Sequence, residues 1–222
     1  MNWRKFLRRT TAAVLIGASV LTASVVVAAT PQEEIQQYTQ QIQNNPNDAA
    51  AYNDRGNAYY DLGQYERAIQ DYNRAIQLNP NWSWPYYNRG IVYYKLGQRE
   101  RAIQDFSQAI QLGGLSNENL ALAYNNRGIA YKNLGQYERA IQDYSQAIQL
   151  NPNLYQAYNN RGLSYARQQQ YERAIQDYSQ AIQLDPGFAK AYYNRGLAYQ
   201  ALGNTASAQA DFARAKQLGY NG

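Results

Sequence analysis

The stretch Tyr124–Pro152, YNNRGIAYKNLGQYERAIQDYSQAIQLNP, decides how the whole chain is read. Its Arg127-Gly128 pair recurs as Arg55-Gly56, Arg89-Gly90, Arg161-Gly162 and Arg195-Gly196. Successive glycines of these pairs lie 34, 38, 34 and 34 residues apart. A fixed period of this size marks a stack of small units, each unable to bury its apolar face alone.

Working outward, every copy reads as two helices. In the first, Tyr52, Gly56 and Tyr59 lie at steps of four and three, Gly63 breaks the run, and Ala68, Tyr72, Ala75 and Leu78 form a second stripe before Asn79-Pro80. The copies span residues 49–82, 83–120, 121–154, 155–188 and 189–222. The second ends in Gly113-Gly114-Leu115-Ser116 and carries four extra residues, about one helical turn. Ser116 is therefore expected to cap a lengthened first helix in the third copy. Ahead of the copies, Ile35, Tyr38 and Ile42 place a lone helix within residues 30–48, covering the first face of the stack. In the fifth copy Gln209, Arg214 and Lys216 make the last helix polar, which suits a terminal cap.

The Tyr–Gly–Tyr then Ala–Tyr–Ala–Pro pattern over two helices per 34 residues resembles the tetratricopeptide repeat (TPR). The resemblance implies an all-α fold, an α-solenoid of antiparallel helix pairs wound into a right-handed superhelix. It also implies a concave groove, lined by the first helices, that holds an extended peptide or a partner's helix. Small residues such as Gly56, Ala68 and Ala75 allow close helix approach, with tyrosines filling the space around them.

One departure from the family is systematic. Arginine stands before each glycine where the family usually has an apolar residue, and an aspartate precedes each second-helix aromatic. Arg55 and Asp71, Arg89 and Asp105, Arg127 and Asp143, Arg161 and Asp177, and Arg195 and Asp211 sit level across their hairpins. The spacing predicts five partly buried structural ion pairs. A ladder of ligand-binding arginines is the rival reading, disfavoured because the aspartates recur with them.

Candidate groove residues come from what the core pattern leaves over. Trp84, Tyr87, Ile91 and Tyr94 form one stripe, which Tyr60 of the previous copy joins. Such a stripe is a candidate recognition surface, contact between adjacent first helices being the alternative. Asn88, Asn126, Asn160 and Asn194 recur two residues before the glycine. In peptide-binding members of the family an asparagine there bonds the ligand's backbone, and a local surface hydrogen bond is the alternative. Chaperone-tail binders also need a lysine in the preceding place, where this chain has Asn53, Tyr87, Asn125, Asn159 and Tyr193. Capture of a chaperone's acidic tail is not expected.

Composition narrows the function. The chain has no His and no Cys, which removes imidazole bases, thiolate nucleophiles and the usual zinc ligands. Its glycines are singletons at hairpin positions rather than a phosphate-cradling loop. No catalytic residue, metal or cofactor is expected, and the chain reads as a non-catalytic scaffold with a protein or peptide partner. A self-associating subunit of a membrane-linked complex is the alternative. The net charge of +5 rests largely on Arg4, Lys5, Arg8 and Arg9, leaving no basic footprint for nucleic acid. Those residues lead into an apolar run, residues 12–29, that ends in Val27-Ala28-Ala29. Residues 1–29 read as a signal peptide cleaved before Thr30, sending the chain to a periplasm, a lumen or the medium. Retention as a membrane anchor through residues 12–29 is the alternative.

Overall fold

Eleven α-helices are found among residues 29–220, the residues that the computed structural model describes. The first, α1 (Pro31–Asn44), stands alone. Five hairpins follow: α2 (Ala49–Asp61) with α3 (Tyr65–Leu78), α4 (Ser83–Lys95) with α5 (Arg99–Leu112), α6 (Asn117–Asn133) with α7 (Tyr137–Leu150), α8 (Tyr155–Arg167) with α9 (Tyr171–Leu184), and α10 (Ala189–Ala201) with α11 (Thr205–Gln217). No strand occurs among the described residues. The leader expected at residues 1–29 lies almost wholly outside them.

The local signals act where the sequence puts them. Thr30 caps α1 in a reciprocal box with Glu33, and Pro31 opens the helix. α6 runs 17 residues where the other first helices run 13, and Ser116 Oγ accepts its Asn119 N–H at 3.3 Å. Hairpin turns pass through positive φ, at Gly63, Gly97, Gly135 and Gly203, but in the fourth hairpin the residue is Gln169, at φ 60°.

Each helix packs on the next along the chain, and each first helix also touches the first helix of the following hairpin. Second helices make no such contact with one another among the described residues. First helices therefore converge on an inner wall while second helices splay outside, which curves the stack into a solenoid with a concave face. The exposed Glu66-Arg67, Glu138-Arg139 and Glu172-Arg173 pairs lie on the outer helices.

The core is thin and specific. Alanines of both helices are fully buried, and so are the aromatics Tyr72, Phe106, Tyr144 and Tyr178 on the second helices. Each of these rings lies against the glycine of the facing first helix. A Cβ built on Gly128 would stand 2.8 Å from Tyr144 Cε1, closer than packed carbons approach. The first-helix tyrosines of the periodic stripe, such as Tyr124 and Tyr131, are only half-buried, which corrects their reading as core filler. Their rings flank the arginines instead.

Candidate functional site

The guanidinium of each first-helix arginine is the joint of its hairpin. Arg127 donates from Nε to Asp143 Oδ2 at 2.8 Å and from Nη2 to Oδ1 at 2.7 Å. The same fork holds Arg55 to Asp71, Arg89 to Asp105, Arg161 to Asp177 and Arg195 to Asp211. A third donor, Nη1, reaches back to the preceding second helix: Arg127 to Ser107 at 3.0 Å, Arg161 to Ser145, Arg195 to Ser179, and Arg89 to Asn73. Arg55 makes the equivalent bond to Thr39 of α1, so the lone helix stands in for a second helix. One guanidinium thus ties three helices and two copies. Tyr124 and Tyr131 flank that of Arg127, with ring centroids 5.4 and 5.9 Å away.

Burial presses the Arg127 guanidinium down, but the hydrogen bonds and charge of Asp143 outweigh it and hold it above its ordinary value. Burial raises the Asp143 carboxyl, and Arg127 pulls it back. With three of its donors committed, the guanidinium has little left to offer a ligand.

A second ladder runs along the inner wall. The amide of Asn88 donates to Asn53 Oδ1 of the previous copy at 2.9 Å, Asn160 to Asn125 at 3.1 Å, and Asn194 to Asn159 at 2.9 Å. Asn126 donates to the Tyr87 hydroxyl at 3.2 Å, the tyrosine taking the place of the accepting amide. Asn88 and Asn194 are buried. For these two the expected role on a ligand's backbone is therefore corrected: they join copy to copy, through bonds that are neither local nor on the surface, while Asn126 and Asn160 make the same kind of bond at half-buried positions. Tyr87 is corrected likewise, being buried against Phe106 with Trp84 edge-on to its ring. Tyr60 is half-buried on Tyr65 in the cluster that joins the first two copies.

What stays open to an occupant is narrower than the sequence stripe. Ile91 and Tyr94 of α4, with Lys95, Phe106, Asn126 and Ile129, line a recess of about 170 Å³ between α4 and α6. The Tyr94 hydroxyl accepts from Asn133 at 2.7 Å, which fixes its ring at the rim. Farther along, Lys132, Asn133, Tyr137, Leu163 and Arg167 line a more polar recess of about 370 Å³. Sequence reasoning missed Lys95, Ile129, Lys132 and Arg167. Lys132 and its neighbours break the period, and that irregularity was the available signal. Among the described residues no group of three or more His, Cys, Asp or Glu side chains is placed to hold a metal ion. No helix there is long and apolar enough to cross a membrane.

Models of the tetratricopeptide repeat match residues 38–70, 83–112, 121–154, 144–176 and 189–218, and models of the TPR repeat match residues 56–97 and 163–203. Together these matches cover most of the chain. Among solved structures, the chain is 25% identical to YrrB, described as a TPR protein with an unusual peptide-binding site (TM-score 0.71, covering 83% of this chain and 93% of that one). It is 29% identical to MamA protein (TM-score 0.70, 77% and 91%). BtubC from P. vanneervenii, 19% identical, shares the fold (TM-score 0.72, 86% and 91%). No curated protein matches the chain closely enough to count as a relative.

Proposed function

We propose, for a chain that belongs to the tetratricopeptide repeat family, a non-catalytic interaction module that holds a partner's extended peptide or helix on its concave face. The observation that carries this reading is the apolar recess walled by Ile91, Tyr94 and Ile129 on adjacent first helices. It opens where an occupant of the groove would lie, and its aromatic and aliphatic walls suit an anchoring side chain. The likeness to YrrB, itself described as having a peptide-binding site, points the same way.

Export belongs to the same proposal. Cleavage before Thr30 would leave the cap of α1 intact. The Thr30 nitrogen already donates to Glu33 Oε2 at 2.7 Å, and a new α-amino charge there would strengthen that bond. Self-association is the second reading, favoured by Leu197 and Leu202, which stay 45% and 44% exposed on the last hairpin.

A decapeptide display selection against the chain, read by fluorescence anisotropy, tests the module. Ile91→Ala and Tyr94→Ala should each weaken the selected peptides about tenfold, the usual loss at an anchoring residue. Unchanged affinity in both would remove the groove from consideration. Light scattering decides the second reading: a stable dimer that Leu197→Ser and Leu202→Ser together make monomeric would favour self-assembly.

A further inference from the structure

Charge on the inner helices does not follow the period. Setting aside the paired arginines, the first helices carry Asp54 and Asp61 in the first copy and Lys95 in the second. Lys132, Arg167 and Lys190 follow in the third, fourth and fifth. The exception, Glu118, lies fourteen residues before Lys132 on the same helix, about 20 Å away. The inner wall thus passes from acidic at its start to cationic over its later copies.

Two of these cations converge. Lys132 and Arg167 share the polar recess between α6 and α8. Burial first, and then the charges of Lys190 and Arg167, hold the Lys132 ammonium below its ordinary value. The nearby Glu138 accepts from Gln168 Nε2. Gathering like charges on a half-buried concave wall opposes folding, and it focuses a positive potential there. The periodic Arg–Asp pairs already join these hairpins without it.

We propose that the Lys132–Arg167 pair receives carboxylates of an acidic partner segment lying in the groove. The neighbouring recess at Ile91 and Tyr94 takes an apolar side chain of the same segment. The segment then lies with its acidic part toward the C-terminal copies, away from Asp54 and Asp61. This rests on the groove reading above and adds the partner's chemistry and direction. Lys132 and Arg167 stand after their copies' glycines, Gly128 and Gly162, at places other than those where chaperone-tail binders of the family put their lysine, here Asn53, Tyr87, Asn125, Asn159 and Tyr193.

The test is an array of random decapeptides, each with a free and an amidated C-terminus, probed with the full chain. The strongest binder is then compared with its twin carrying Gln for Glu and Asn for Asp. Binders should be enriched in Asp and Glu, and the neutral twin should bind about tenfold more weakly, with added salt narrowing the gap. Lys132→Gln should cost the acidic peptide, but not its twin, about tenfold. Arg167→Gln, at an exposed position, should act in the same direction. Loss on amidation would assign the pair to a chain terminus, and indifference to it would assign it to side chains; both support a carboxylate site. Neutral or basic binders that still need Ile91 and Tyr94 would overturn the pair's role while leaving the groove standing. An array without binders would overturn both.

Discussion

Replacing Asp143 with alanine leaves the Arg127 guanidinium between α6 and α7 with two donors, Nε and Nη2, that have lost their acceptors. Removing one partner of a buried pair costs about 3–5 kcal/mol. The Arg127 side chain keeps 18% of its surface, so water can recover part of the lost solvation and the cost falls near the lower end, about 3 kcal/mol. In a chain of this length that lowers Tm by roughly 6–12 °C. Arg127→Met should cost at least as much, because it leaves Asp143, only 6% exposed, without its cation. The double variant Arg127→Met/Asp143→Leu removes both charges at once. It should recover at least about 2 kcal/mol relative to the sum of the singles.

Urea and thermal melts followed by circular dichroism measure all three variants. Ser107→Ala, which removes only the bond to the preceding copy, should cost about 1 kcal/mol and serves as the internal scale. Strictly additive losses, or an Asp143→Ala chain melting with the wild type, would refute the pairing argument. A ladder of ligand-binding arginines predicts that second outcome, with peptide affinity lost instead.

Three further tests concern single positions. Tyr72 donates to Asn57 Oδ1 at 2.9 Å, whereas the buried Tyr144 hydroxyl has no acceptor among the described residues, Ile129 standing in the place of Asn57. Tyr144→Phe should therefore be neutral or stabilise by up to about 1 kcal/mol while Tyr72→Phe costs about 1 kcal/mol in urea melts; equal losses would contradict this. Gln169, at φ 60° where its counterparts are glycines, is strained; Gln169→Gly should raise Tm by roughly 2–4 °C, net of the flexibility it adds to the unfolded chain, and a lowered Tm would show that no strain is held there. Gly128→Ala brings a Cβ to 2.8 Å from the Tyr144 ring and should cost about 1–3 kcal/mol, partly restored by Tyr144→Leu; a wild-type melt of the single variant would mean that the ring can move aside.

Residues that repeat were the legible ones. The hairpins, their turns and the lengthened α6 follow from spacing, because helical periodicity and breakers act within a few residues of one another. The Arg–Asp register could also be read, since two residues equidistant from a turn lie level in an antiparallel pair. The bonds between copies escaped that reasoning. Ser107, Ser145 and Ser179 recur after the second-helix aromatic, and asparagines recur in adjacent pairs. The serines' partners lie 16 or 20 residues away and the asparagines' 35, and only the stacking geometry brings them within hydrogen-bond distance of each other. That omission had a consequence at the site. With no bond assigned to them, Asn88 and Asn194 looked available to a ligand, although the amide ladder had already buried them.

The two ladders also explain where recognition can reside. A side chain that recurs in nearly every copy and is spent on its neighbour in every copy presents the same featureless wall along the groove. It can stabilise the stack, but it cannot tell one position of a ligand from another. Discrimination has to come from positions where the period fails and the side chain stays accessible. On the inner helices those include Tyr94 and Lys95 in the second copy, Lys132 in the third, Arg167 in the fourth and Lys190 in the fifth. Tyr87 shows the converse: it breaks the asparagine pattern, yet its hydroxyl keeps the ladder's acceptor and its ring is buried, so the irregularity is absorbed by packing. Irregularity alone therefore does not mark a binding residue. Irregularity together with exposure on the converging helices does, and here that combination selects an apolar recess followed by cations.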